Sequence, residues 1–315
     1  MTCKLPPGSW DSHVHIIDEV PTAYILRPLL PCSPARYSQN LQNRFPLSPN
    51  RPFTPKKADV GDLVAFENSI GITHAVIVAA SVYANDNRSI VDALKRMRGK
   101  GRGIACIDPK TATEDALDEL QRAGVVGVRL NLWSFGSTPN RESLRATLHA
   151  YADRIRSRGW VLQIFGTMNQ YADILSLTPE LGVDVVVDHL GYPDPINPVL
   201  DPAGRDAILG ALRSGRTWVK MSGTYRFEST PGLDEYVREI LETAPDKVVW
   251  ASDWPHVGGP PKNPHGDRLK HQEFLTVDIP EFIDRCLEWC GGDGDLIKKI
   301  WVDNPRRLWQ YDGYD

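Results

Sequence analysis

Short runs rich in β-branched residues alternate along the chain with stretches in which apolar residues recur every three or four positions. The runs cover residues 10–16, 74–79, 103–107, 125–131, 160–165, 183–189, 217–222 and 247–252. Runs of that length and make-up predict strands, and the recurring pattern predicts amphipathic helices, as at 114–123, 141–157, 202–213 and 233–243. Eight strands, each with a helix after it, in 315 residues favour an α/β fold of the closed (β/α)8 TIM-barrel type over a doubly wound open sheet. The whole chain, 1–315, is then one domain.

Two segments break the rhythm. Residues 17–57, between the first strand and its helix, hold eight of the 25 prolines and predict a lid-like insertion. Residues 254–275 form a second long loop, after strand eight. Both follow the C-terminal ends of strands, the face on which such barrels carry their active sites.

Composition narrows the choice further. A hydrophobic share of 41% with 24% charged residues is ordinary globular make-up. With 36 basic and 40 acidic residues the net charge is −4, which offers no footprint for nucleic acid. No apolar run is long enough to span a bilayer, and the first ten residues lack the apolar stretch of an export signal. The five cysteines, Cys3, Cys32, Cys106, Cys286 and Cys290, are scattered, which fits a reduced, cytoplasmic setting.

The candidate chemistry lies on the strands. Side chains two apart on a strand share a face, so Asp11, His13 and His15 are expected to point into the barrel, with Val14 and Ile16 against the helices. Two buried imidazoles there need partners or a metal. Strand four turns Arg129 and Asn131 inward, and the arginine calls for a carboxylate, either on a substrate or within the protein. Strand five turns Gln163 inward, and strand six ends at Asp188-His189. Strand seven carries Lys220, a rim cation or a buried partner for an aspartate, and Arg226 follows it. Asp253 ends strand eight and is the best general-base candidate in the chain. His256, just beyond Pro255, is as well suited to structure as to function. No GxSxG elbow, Walker loop or GxGxxG stands in a suitable place.

His-x-His on strand one, His189 on strand six and Asp253 after strand eight resemble the amidohydrolase superfamily, and most closely its lactonase branch. The matching pieces include Asp11-Ser-His-Val-His15, Gly127-Val-Arg-Leu-Asn131, Asp188-His-Leu-Gly191, Lys220-Met-Ser-Gly223 and Ser252-Asp-Trp-Pro-His256, in family order over nearly the whole chain. The resemblance implies hydrolysis of a small-molecule cyclic ester, with Asp253 as base and His13, His15 and His189 donating to the oxyanion. Arg129, Arg226 and Ser81 would hold a polar group of the substrate, with Gln163 and His256 nearby. Metal-dependent members place a histidine on strand five and often a lysine or acid on strand four. Gln163 and Arg129 stand there instead, so no cofactor is expected, although His13, His15, His189 and Asp253 are the set that would hold zinc. A tyrosine and an arginine that hold carboxylates in the pyrone dicarboxylate enzymes correspond here to Phe53 and Phe135, which points to a bulkier or aromatic lactone. The alternatives are a zinc-dependent decarboxylase of aromatic acids and a non-catalytic binding protein on the same barrel. A homo-oligomer is compatible with such a barrel.

Overall fold

A computed structural model describes residues 5–18, 45–132 and 140–313. Eight parallel strands form one sheet in chain order: β1 (Trp10–Val14), β2 (His74–Val78), β3 (Gly101–Ala105), β4 (Val125–Asn131), β5 (Val161–Phe165), β6 (Val185–Val187), β7 (Thr217–Met221) and β8 (Val248–Trp250). A parallel bridge between Val14 and Trp254 brings the last strand back to the first, with His15 N donating to Trp254 O at 2.9 Å. The protein is a single-domain (β/α)8 barrel, as the alternation predicts.

The helices begin and end where their sequences dictate. The first, α1 (Val60–Ile70), starts at Asp59, whose side chain accepts from Gly61 N and Asp62 N, and it stops at Gly71 with φ 79°. The one at Pro202–Arg213 starts with Asp201 capping Gly204 N and proline in the first turn. Apolar side chains fill two layers. Trp10, Val76, Ile104, Val186, Val249 and Trp309 form one cluster, while Val14, Leu63, Ile77, Leu130, Ile164 and Val187 belong to the larger one between sheet and helices.

One expectation about β1 is corrected. Between Asp11 and Val14 the strand advances three residues while β2 advances two, a bulge that breaks strict alternation. Ser12 and His13 therefore both face inward, where Ser12 Oγ accepts from Trp309 Nε1 at 3.0 Å and His13 reaches Lys220. Asp11 is turned out of the barrel instead, to meet Glu67 of α1.

The described parts of the two long loops meet above the strand ends. Thr54–Pro55 pairs with His271–Gln272, Phe45, Leu47 and Phe53 are buried, and Ile17 bridges to Ala58. Most of the Pro-rich insertion, residues 19–44, and Phe135 lie outside the described residues. No helix among the described residues is long and apolar enough to cross a membrane.

Candidate active site

Asp253 stands at the centre of the mouth. It follows β8 with φ 63°, and its backbone N donates to His13 O at 3.1 Å. Its Oδ1 lies 3.8 Å from His13 Nε2, 3.9 Å from His15 Nε2 and 3.9 Å from His189 Nε2. Its Oδ2 accepts from Tyr225 Oη at 2.8 Å and from Arg226 Nη2 at 3.2 Å. One carboxylate oxygen is thus held and the other is free to take a proton.

A second polar layer lies beneath. Asp188 continues β6 inward, and its Oδ2 accepts from Gln163 Nε2 at 2.9 Å and Arg129 Nε at 3.3 Å. Its Oδ1 is 3.4 Å from both Lys220 Nζ and His13 Nδ1. Lys220 Nζ also donates to Gln163 Oε1 at 2.8 Å and approaches His13 Nδ1 at 3.3 Å. Asp188, Lys220, Gln163 and His13 are all fully buried.

Burial sets the charge states. It lowers His13 well below the usual histidine value, with the Lys220 ammonium adding to the effect, and takes His15 down to about 4. His189 is lowered in the same way. Burial pushes Asp253 upward, but attraction to His189, His13 and His15 in their protonated forms and to the permanently charged Arg226 guanidinium outweighs it and holds the carboxyl well below its ordinary range. At neutral pH, then, three neutral imidazoles surround a carboxylate.

Their protons can be placed. His15 Nδ1 lies 2.8 Å from Val78 O, a carbonyl that only accepts, so His15 carries its proton there and its Nε2 has the lone pair. His13 Nε2, 3.2 Å from that lone pair, must be the donor. His13 Nδ1 is then bare and faces Lys220. The expected donation to substrate from all three rings is revised accordingly: as a neutral ring His15 has no proton to give on its Nε2.

Zinc bonds of about 2.1 Å in a tetrahedral arrangement put donor atoms about 3.4 Å apart. His13 Nε2, His15 Nε2 and Asp253 Oδ1 match that spacing. Their protons and charges do not match. One of the two ring nitrogens carries hydrogen, and the carboxylates of Asp188 and Asp253 already face three cations, Arg129, Lys220 and Arg226. A divalent ion would add to a buried surplus of positive charge.

Phe53, Ser81, Arg129, Arg226, His15, His189 and Asp253 line a cavity of about 100 Å³, together with Phe165, Tyr192 and Pro260. His13 and Gln163 sit one layer below it. His256 is turned away, its Nε2 donating to Ser252 O at 3.2 Å and its ring against Tyr225 and Phe66. A wider cleft of about 1430 Å³ opens beside the cavity, sharing Tyr192 and Arg226. Lys220 is the buried partner of an aspartate, one of the two roles expected for it, whereas Asp188 and Tyr225 were not selected from the sequence. Alternation from Val186 points at Asp188, whereas Tyr225 lies in a 3-10 turn where no periodicity marks it.

The sequence model of the amidohydrolase family Amidohydro_2 matches residues 10–310. The chain belongs to that family. This amidohydrolase is 30% identical to the 2-pyrone-4,6-dicarboxylate hydrolase of Comamonas testosteroni, covering 97% of this chain and 91% of that one. It is 26% identical to the 4-sulfomuconolactone hydrolase of Hydrogenophaga intermedia, over 96% and 89% of the two chains. Among solved structures, an apo protein from Agrobacterium tumefaciens superposes with a TM-score of 0.74 at 21% identity, covering 98% of each chain, which speaks for the fold.

Proposed function

We propose that this amidohydrolase opens a lactone by water attack without a metal ion. The observation that carries the reading is the split role of Asp253, with Oδ2 fixed by Tyr225 and Arg226 and Oδ1 open to the cavity among neutral histidines. The two relatives named as hydrolases of cyclic esters support it.

In the reaction, Asp253 Oδ1 takes a proton from water as its oxygen attacks the lactone carbonyl. The developing oxyanion is met by donors at the mouth: the Ser81 hydroxyl, and His189 Nε2–H when the Ser222 hydroxyl, 2.8 Å away, donates to Nδ1. When the tetrahedral intermediate collapses, the ring C–O bond breaks and Asp253 returns the proton to the departing oxygen. Arg129 keeps both terminal nitrogens without a hydrogen-bond partner among the described residues, so it is available for an anionic group of the substrate. Arg226 is occupied by Asp253 and by Val257 O at 2.9 Å. The open guanidinium edge of Arg129 and walls of Phe53, Phe165, Tyr192 and proline favour a bulky or aromatic lactone with at most one carboxylate.

The test is a screen of lactones by proton release on metal-stripped protein, followed by Asp253→Asn. Loss of a general base costs about 10²–10⁴-fold in rate, and a folded variant with near-normal turnover would overturn the role of Asp253. A second reading, zinc-dependent decarboxylation of an aromatic acid, is favoured by the spacing of His13, His15 and Asp253 and by that of His13, Asp188 and His189. Stoichiometric zinc in the purified protein, with activity lost on chelation, would establish it in place of the first.

A further inference from the structure

Lys220 is fully buried, touches neither the cavity nor Asp253, and is spent entirely on the layer below. It closes a ring with two other buried groups: Nζ donates to Gln163 Oε1 at 2.8 Å, Gln163 Nε2 donates to Asp188 Oδ2 at 2.9 Å, and Asp188 Oδ1 stands 3.4 Å from Nζ. The ring holds the ammonium 3.3 Å from His13 Nδ1. Trp309 lies below, its indole 5.4 Å from Nζ.

An ammonium has donors and no lone pair, so beside it Nδ1 must accept. That leaves His13 with hydrogen on Nε2, donating to His15, whose own proton rests on the Val78 carbonyl. Without Lys220, the nearest partner of Nδ1 is the Asp188 carboxylate at 3.4 Å, which requires a hydrogen on Nδ1. Two Nε2 lone pairs would then face each other at 3.2 Å beside Asp253, a set that a divalent ion satisfies and a metal-free site does not.

We propose that Lys220 is the positioning residue that keeps this site metal-free, by fixing His13 as a hydrogen-bond donor to His15 in place of a metal ligand. The inference rests on the metal-free reading of the site, and it explains why Gln163 stands where metal-dependent relatives have a ligand: its amide spans the ammonium and the carboxylate and faces each with the matching atom.

The decisive experiment compares wild type with Lys220→Met by ¹⁵N NMR of the histidine rings and by titration with zinc chloride, neither of which requires a known substrate. In wild type the His13 signals should show a bare Nδ1 and a protonated Nε2. In Lys220→Met the proton should move to Nδ1 and zinc affinity should rise at least tenfold. With any lactone that the protein turns over, kcat should fall about 10–100-fold, the range for lost supporting partners of a site histidine, with KM little changed. Because Lys220→Met leaves Asp188 with Arg129 as its remaining cationic partner and can fail to fold, the wild-type spectrum serves as a second measurement: a His13 proton found on Nδ1 there would overturn the proposal. A folded variant with an unchanged His13 proton position and unchanged zinc affinity would overturn the proposal. Failure to find a lactone substrate would count against the hydrolase reading and leave these two measurements to decide the role of Lys220.

Discussion

At the scale of single residues, the site depends on side chains being delivered from unusual backbone. Gly223 has φ 70°, and a Cβ there would lie 2.9 Å from His189 Nδ1 and 3.0 Å from both its Cβ and its Cγ. Gly223→Ala should push the His189 ring aside, lowering kcat on the order of 10²-fold, since displacements of about 1 Å cost that much. Steady-state kinetics beside a thermal melt check it, and normal turnover would show that the position of His189 is not critical. Much at this scale was legible beforehand. Alternation alone turned Arg129 and Gln163 inward, and chain position alone marked Asp253. The inward turn of both Ser12 and His13 was not legible, because a bulge is a relation between two strands and neither sequence states it. Asp188 was legible by the same alternation but was outshone by the histidine beside it.

At the scale of elements, β1 and α1 are joined by two carboxyl groups. Asp11 Oδ1 accepts from His13 N and Ser252 N, both at 3.0 Å, so it ties β1 to the exit of β8. Its Oδ2 and both oxygens of Glu67 are buried with no donor but a carboxyl proton held between them. Burial raises Asp11 to about 7 and, with the nearby Asp11 charge, raises Glu67 well above the glutamate range. A folded-state value above the unfolded one means that the folded protein binds more protons, so the contribution of Asp11 is greatest below about pH 4 and is lost as pH rises through about 7, and that of Glu67 likewise falls as pH rises above the ordinary glutamate range. Glu67→Gln should flatten the fall in Tm between about pH 5 and 8 relative to wild type. Parallel melts across that range test it, and an unchanged slope would show that Glu67 does not titrate there. The barrel order and most element boundaries followed from periodicity, with 125–131 and 202–213 matching to the residue. Strands β6 and β8 are shorter than their apolar runs, although Asp188 N still donates to Ile164 O at 3.1 Å and Ser252 N to Asp11 Oδ1 at 3.0 Å.

At the scale of the molecule, residues from seven of the eight strands or their exits converge on one axis, and the loops after β1 and β8 cross above it. That convergence makes the charge balance a property of the whole barrel: Arg129, Lys220 and Arg226 come from different strands or exits to offset Asp188 and Asp253. If no ion is part of this balance, prolonged treatment with a strong chelator should leave Tm within 1–2 °C. A resident zinc bound at 100 times its Kd would contribute about 2.7 kcal/mol, and its removal would shift the melt by several degrees. Differential scanning calorimetry before and after chelation distinguishes the two.

His189, Asp253 and His256 all hold left-handed backbone, at φ 51°, 63° and 66°. Left-handed backbone costs a side chain on the order of 1–3 kcal/mol and costs glycine almost nothing. Heat alone, used as a filter on a mutant library, would therefore reward glycine at the two positions that the chemistry can least spare. Thermostability and turnover pull in opposite directions at His189 and Asp253, and a breeder of hardier variants would have to screen for both at once.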